Sequence, residues 1–126
     1  MSSSEQSTQT SGGGNFDRSS TITIINQLPS ASLERTYYDD IHGGWDKTPA
    51  PFIPPSKSDM FKLADHIGPA GSEGIVKYAG GGSERTISFA CPTTADSWVN
   101  LDPPGSGSVG PFDKNGPLIA TVYISK

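Results

Sequence analysis

Proline and glycine interrupt this sequence so often that no long helix can form. The chain holds 15 glycines and 11 prolines among its 126 residues. Proline removes a backbone donor from a helix, and glycine loses more backbone entropy there than any other residue. No stretch between these residues carries the helical apolar period of about 3.6 residues. We therefore predict an all-β fold.

Seven short segments between these interruptions are rich in β-branched and aromatic residues, which favour strands. They span residues 21–28, 33–39, 60–64, 74–79, 85–91, 97–101 and 118–125. Because many short strands are typical of a sandwich, we predict a compact antiparallel β-sandwich of about seven or more short strands. Segment 118–125 is apolar on both alternating faces, which predicts a central strand.

The connections between these segments carry signals of their own. Residues 79–83 separate two strands by a hairpin distance, and their glycines supply the positive φ that a tight antiparallel turn needs. Residues 46–55 (DKTPAPFIPP) are held extended by proline and should cross the surface between strands. Residues 102–116 predict a second long loop.

The N-terminal segment differs in composition from the rest. Residues 1–20 are dominated by serine, glycine and threonine, and Phe16 is their one aromatic residue. Such a segment buries too little apolar surface to offset its ordering entropy, so we expect 1–20 to be a disordered tail and 21–126 a β-sandwich domain. Neither a signal-peptide pattern nor an apolar run of about 20 residues is present. We expect a chain that is cytoplasmic as synthesised, with release by a non-classical route left open.

Net charge and cysteine content limit the kinds of partner and the chemistry that we expect. The formal net charge is −4 and the isoelectric point is about 4.9. Nucleic-acid binding needs clustered lysine and arginine, so we expect no nucleic-acid partner. Cys91 is the single cysteine and cannot close an intramolecular disulfide. With no basic neighbour in sequence to activate its thiol, we expect Cys91 to be a buried, inert side chain.

Catalytic patterns are missing from the sequence. His42 and His66 lie at no metal-ligand spacing, and no nucleophile stands near a base and an orienting group. Asp39, Asp40 and Asp46 could supply oxygen ligands for calcium, but the order of a calcium-binding loop is absent. Solvated strand-end carboxylates are the favoured interpretation. We expect no enzyme, no metal site and no cofactor.

Aromatic residues near loops are the remaining candidates for function. The set comprises Tyr37, Tyr38, Trp45, Tyr78 and Trp98. Tyrosine and tryptophan suit membrane interfaces and sugar faces equally well when they are exposed. In a small domain with two tryptophans, each is more often part of the core or its edge. Both interpretations stay open at this point.

The order of several motifs resembles the aegerolysin family and the wider actinoporin-like group of cytolysins and fungal fruit-body lectins. The strand ITIINQL leads to HGGW (42–45) and then to a PFIPP stretch at 51–55. GPAGSEGIVKY (68–78) follows, then ISFACP (87–92), Trp98 six residues past Pro92, and a closing GPLIATVYISK. The resemblance spans residues 21–126.

The resemblance implies a β-sandwich that recognises a membrane lipid, often a sphingolipid, or in the lectin branch a glycan. The phosphocholine pocket of actinoporins falls here on Ala90, Pro92 and Trp98, so one aromatic wall is kept while a serine hydroxyl is replaced by a methyl group. Glu73 stands where that pocket has a valine. Aegerolysins bind lipid and leave perforation to a separate pore-forming partner. The tail has no apolar face for insertion, so we expect no perforation by this chain alone.

These observations lead to one hypothesis and two alternatives. The hypothesis is a non-enzymatic, toxin-like or defence-type module that binds a zwitterionic membrane-lipid headgroup at the periphery of a membrane. Asp39, Asp40 and Asp46 would be available to bind an amine or amide group of the ligand. The alternatives are a lectin of the same fold and a self-associating structural protein that forms homo-oligomers through its β edges. The predicted ligand-binding residues are Tyr37, Tyr38, Asp40, Trp45, Pro92 and Trp98.

Overall fold

The computed structural model describes residues 17–65 and 70–126. Within these ranges the chain forms ten strands and one 3-10 helix, Pro104–Ser106. The strands are β1 (Ser20–Asn26), β2 (Leu33–His42), β3 (Gly44–Lys47), β4 (Phe52–Ile53), β5 (Ser58–Ala64), β6 (Ser72–Gly80), β7 (Ser83–Cys91), β8 (Trp98–Asp102), β9 (Gly107–Val109) and β10 (Leu118–Ile124). No helix in the described ranges is long and apolar enough to span a membrane.

The strands form two five-stranded sheets that pack as a sandwich. Sheet 1 has the order β3-β5-β1-β10-β9, and sheet 2 has the order β4-β2-β6-β7-β8. The predicted all-β sandwich is confirmed, and each of the seven predicted segments overlaps a strand. The additional strands β3, β4 and β9 are short and lie at sheet edges, where few apolar residues are needed to hold a strand in place.

One strand pair departs from the predicted antiparallel arrangement. β1 and β10 run parallel, with Thr21 opposite Ile119, whereas the other neighbouring strands in both sheets run antiparallel. A hairpin turn fixes the direction of strands that follow each other in sequence. The direction of β1 against β10 depends on how the whole chain between them is routed, so no local pattern signals it.

The proline-rich residues 46–55 run from sheet 1 to sheet 2. They include the end of β3 and the short strand β4, so the predicted connection between strands is limited to residues 48–51. Asp59 of sheet 1 accepts the N–H of Ala50 at 3.0 Å, and the Tyr78 hydroxyl of sheet 2 donates to the Ala50 carbonyl at 2.6 Å. Burial raises the pKa of Tyr78 above its ordinary value; the nearby Asp59 carboxylate adds to this effect and Arg35 opposes it. The Tyr78 hydroxyl therefore stays protonated and able to donate. Ala50 is thus hydrogen-bonded to both sheets, through Asp59 of sheet 1 and Tyr78 of sheet 2.

The second predicted loop, 102–116, is partly wrong because it contains the 3-10 helix and β9. β9 pairs with the end of β10, with Gly107 opposite Ile124. A Cβ atom at Gly107 would lie 1.7 Å from the carbonyl oxygen of Tyr123, so only glycine permits this close approach. A composition rich in proline and glycine hides a strand this short.

The predicted hairpin at 79–83 is confirmed as the link between β6 and β7. Gly81 and Gly82 have φ values of 59° and 84°, the positive values that a two-residue hairpin turn needs. Arg85 lies buried beneath this turn and donates to the carbonyl oxygens of Gly80 at 2.6 Å and Ser83 at 3.0 Å. Its Nε donates to the main-chain oxygen of Lys126 at 3.0 Å. Burial lowers the pKa of Arg85, and these three acceptors compensate part of its lost hydration.

Apolar side chains from the inner faces of both sheets form one core. Phe61 of sheet 1 and Phe89 of sheet 2 meet at its centre with ring centroids 5.7 Å apart. The prediction that 118–125 is a central strand is confirmed, since β10 lies between β1 and β9, although Ile119 on its outer face is 66% exposed. Thr121 and Tyr123, on the same side of the strand, are half-buried. The core comprises Ile22, Ile24, Leu28, Leu33, Ile53, Phe61, Leu63, Val76, Tyr78, Ile87, Phe89, Cys91, Leu101, Leu118, Ala120, Val122 and Ile124.

The start of the domain lies close to the predicted boundary at residue 21. β1 begins at Ser20, and the side chains of Ser19 and Ser20 are buried. Ser20 and Ser72 share a hydrogen bond of 2.8 Å between their hydroxyl oxygens. Residues 17–20 therefore belong with the domain, while the predicted disorder of residues 1–16 concerns positions outside the described residues.

The central ring contact gives a test of the core. Changing Phe61 to Ala should lower the free energy of unfolding by about 3 to 5 kcal/mol, because it removes a buried aromatic side chain and leaves a cavity. Changing Phe52, which is 58% exposed, to Ala should cost less than about 1 kcal/mol. Urea denaturation of both variants measures the difference. Equal losses would contradict this assignment of the core.

Candidate functional site

The outward-facing side of sheet 2 presents rows of side chains that run across its strands. Trp98 of β8 pairs with Ala90 of β7, Ala90 with Glu73 of β6, and Glu73 with His42 of β2. Directly paired residues point to the same side of a sheet. We call these four residues, His42, Glu73, Ala90 and Trp98, the Trp98 row.

The Trp98 row places an exposed aromatic ring beside a carboxylate. Trp98 is 41% exposed, whereas Ala90 is buried and adds only a methyl group between Trp98 and Glu73. Two strand spacings, about 10 Å, separate the backbones of Trp98 and Glu73. The Glu73 carboxylate lies 3.9 Å from Nε2 of His42 and remains partly exposed. A shallow surface with an aromatic wall and an acidic group results.

Pro92 belongs to the same end of the sheet. It directly follows Cys91, the last residue of β7, and Ala90 is the residue that pairs with Trp98. Cys91 is buried, and its Sγ donates to the carbonyl oxygen of Gly116 at 3.2 Å, which links this end of β7 to the segment before β10. The structure therefore brings Pro92 and Trp98, two of the predicted site residues, to one corner of sheet 2.

Tyr38 and Trp45 form a separate cluster, in which Trp45 packs against the core. Their ring centroids lie 5.7 Å apart, and Trp45 also packs edge-on against Phe61 at 5.9 Å. The guanidinium of Arg35 lies 4.3 Å from the centroid of the Tyr38 ring and occupies one of its faces. This geometry matches the alternative in which a tryptophan closes the edge of the core. Tyr38 itself remains 38% exposed, with Arg35 over one face of its ring.

The remaining predicted residues lie apart from both groups. Tyr37 is on the outer face of sheet 2, where the Lys77 amine lies 5.7 Å from its ring centroid. Asp40 is exposed and pairs with Gly74. Asp46 lies 3.9 Å from the Lys62 amine on sheet 1. Among the described residues, no three histidine, cysteine or acidic side chains lie close enough together to hold a metal ion.

The six predicted ligand-binding residues therefore do not share one pocket. Pro92 and Trp98 lie together on β7 and β8, while Tyr37, Tyr38 and Asp40 lie on β2, about 14 Å from β8 at three ordinary strand spacings. Glu73 and His42 were not among the predicted ligand-binding residues, although the resemblance places Glu73 at a position of the actinoporin pocket. The pairing register that aligns them with Trp98 in one row across sheet 2 depends on contacts between distant segments, so the alternation within one strand gave no signal for it.

Each tryptophan can be examined separately in a variant that keeps only one. The Trp45→Phe variant should emit at longer wavelength and be strongly quenched by iodide, because Trp98 is exposed. The Trp98→Phe variant should emit at shorter wavelength with weaker quenching, because Trp45 packs on Phe61. Fluorescence spectra with iodide titration measure both properties. Stronger quenching of Trp45 than of Trp98 would contradict the placement of the two rings.

Comparison with known proteins identifies the fold. Scans against protein-family models and against curated proteins find no match. The chain is similar in structure to RahU, an aegerolysin solved with a TRIS molecule, at 11% identity over 85% of this chain and 95% of that chain, with a TM-score of 0.68. IP-1A from Alcaligenes faecalis is similar at 15% identity over 86% and 92%, with a TM-score of 0.61. The lipid binding protein Nakanori is similar at 12% identity over 85% and 69%, with a TM-score of 0.62. The resemblance found in the sequence is confirmed at the level of the fold, and the chain has an aegerolysin-like fold.

Proposed function

We propose that this protein binds the headgroup of a membrane lipid at the Trp98 row and does so without catalysing a reaction. The observation that carries the proposal is the exposed ring of Trp98 beside Pro92, at a corner of sheet 2 that the core does not use. The similarity in fold to Nakanori, a lipid binding protein, supports the same class of ligand.

Trp98 would supply contact with the membrane interface. An indole has a large apolar surface and one N–H donor, and it partitions to the boundary between lipid headgroups and acyl chains. Its position on β8, an edge strand of sheet 2, lets the ring approach a membrane without displacing another strand. The ring would also attract a quaternary ammonium group through its π face.

Glu73 would give the site its preference among headgroups. Its carboxylate lies on the Trp98 row and repels anionic lipids, while it attracts an ammonium group. The protein carries a net charge of −4, which further disfavours a purely anionic surface. These charges support a zwitterionic headgroup, and a sphingolipid is the class that the resemblance in sequence favours. Binding would be peripheral, with any perforation left to a separate protein.

Changing Trp98 to Ala should weaken binding to vesicles by about tenfold or more, since tryptophans that become buried in an interface are frequent binding hot spots. Co-sedimentation measures this with vesicles of phosphatidylcholine, sphingomyelin, ceramide phosphoethanolamine or an anionic lipid, each with and without sterol. Ile119→Ala is the matched control, because Ile119 is an exposed apolar residue on the opposite sheet. It should leave binding within about twofold of the unchanged protein, as expected for a residue outside the contact.

Two results would overturn the proposal. A folded protein that sediments with none of these vesicles does not bind lipid headgroups of these classes. Binding that Trp98→Ala leaves unchanged places the site elsewhere. Glu73→Gln tests the selectivity separately: it should raise binding to anionic vesicles relative to zwitterionic ones, because it removes the repelling charge.

A further inference from the structure

A second concave surface lies at the other edge of sheet 2. It is a groove with a volume of about 500 Å³, where β4 and β2 approach the hairpin between β6 and β7. This volume lies within the range of about 300 to 1,000 Å³ that is usual for small-molecule sites. The lining residues are Ser32, Glu34, Phe52, Ala79, Gly80, Gly82 and Ser83.

Phe52 forms an aromatic wall of the groove and is held outward by the backbone. β4 pairs with β2 so that Ile53 lies opposite Leu33 in the core and Phe52 lies opposite Glu34 on the outer face. The carbonyl oxygen of Pro51 accepts the N–H of Arg35 at 2.9 Å, which fixes the start of β4. Phe52 is 58% exposed, so its ring is available to a ligand.

Polar groups stand beside this ring. Glu34 is exposed, and its carboxylate forms no ion pair with any described residue. Ser32 and Ser83 add hydroxyl groups to the lining. The other carboxylate nearby, that of Glu84, accepts a hydrogen bond of 2.7 Å from the Thr36 hydroxyl. Glu34 is therefore the free acceptor of the groove.

Small residues and a rigid turn form the floor. Ala79 pairs with Glu34 across β6 and β2, and with Gly80 and Gly82 it leaves the space above the backbone open. A Cβ atom at Gly80 would lie 2.3 Å from the carbonyl oxygen of Ser32, so glycine is required where these two segments meet. Arg85 holds the carbonyl groups of Gly80 and Ser83 from below. The groove is thus formed before any ligand binds, which lowers the entropic cost of binding.

We propose that this groove binds a single pyranose ring of a neutral saccharide. The apolar face of the sugar would pack on Phe52, and its hydroxyl groups would donate to the Glu34 carboxylate and exchange hydrogen bonds with Ser32 and Ser83. A purely apolar ligand would bury the Glu34 charge without a partner, which is costly, and an anion would be repelled by it. The groove combines one aromatic ring face with a carboxylate and hydroxyl groups. This combination matches a sugar, which has an apolar ring face and several hydroxyl groups.

The groove and the Trp98 row are independent sites on one sheet. β4, which carries Phe52, and β8, which carries Trp98, are the opposite edge strands of sheet 2. A saccharide in the groove would therefore not displace a headgroup at Trp98. The two proposals can fail separately, and Trp98→Ala serves as a control for the groove.

Amide NMR of the full chain tests the saccharide site. The ¹⁵N-labelled protein is titrated with the methyl glycosides of glucose, galactose, mannose and N-acetylglucosamine. At least one should give saturable shifts at the amides of Ala79, Gly80, Gly82 and Ser83. Phe52→Ala should weaken that binding at least tenfold, and Phe52→Tyr should retain it. Trp98→Ala should leave it unchanged.

Other outcomes would overturn the inference. Absence of saturable shifts with all four sugars would do so, as would shifts that Phe52→Ala leaves unaltered. Saturable shifts with tetramethylammonium or TRIS, but with none of the sugars, would show that the groove binds an organic cation instead of a saccharide. The spectrum of each variant reports whether it is folded, so loss of binding is distinguished from loss of structure.

Discussion

Continuous backbone pairing through β2, β6, β7 and β8 determines what the outer face of sheet 2 can do. Each paired row repeats the alternation of side chains, so a residue that is inward on one strand keeps its neighbours inward on the next. Phe89 and Ile87 therefore enter the core, while Ala90 and Trp98 are directed outward. A shift of one residue would bury Glu73 and expose Val76. The free-energy cost of burying Glu73 and exposing Val76 fixes the register. This register in turn determines which side chains are neighbours in both proposed sites.

The aromatic rings at the two edges of sheet 2 remain accessible because other side chains fill the core. Phe61 and Phe89 fill the centre of the core. At one side of the sandwich Trp45 packs against Phe61, and Tyr38 packs against Trp45. Residues 46–55 are fixed across that side by hydrogen bonds from both sheets to Ala50. Three of the aromatic residues that the sequence singled out, Tyr38, Trp45 and Tyr78, thus take part in packing. The aromatic rings left most exposed are those of Phe52, Tyr37 and Trp98.

Local patterns in the sequence predicted the strands and the hairpin, because alternation and paired glycines act over a few residues. They also carried the resemblance to the aegerolysin fold. The same patterns could not separate Trp45 from Trp98, since burial of each ring depends on strands far away in sequence. The parallel pairing of β1 with β10 was missed for the same reason, whereas the strand β9 was hidden by its shortness and its proline- and glycine-rich surroundings. Glu34 and Phe52 became neighbours only through the pairing of β2 with β4, so no motif indicated the groove.

The most direct test of lipid binding through Trp98 follows the environment of this one ring during binding. In the Trp45→Phe variant, Trp98 is the sole tryptophan, and vesicles containing sphingomyelin with brominated acyl chains can quench it only at close range. Binding should shift its emission to shorter wavelength and quench it, because the indole enters the membrane interface. Binding of this variant to the vesicles with unchanged Trp98 emission and no quenching would contradict the central claim.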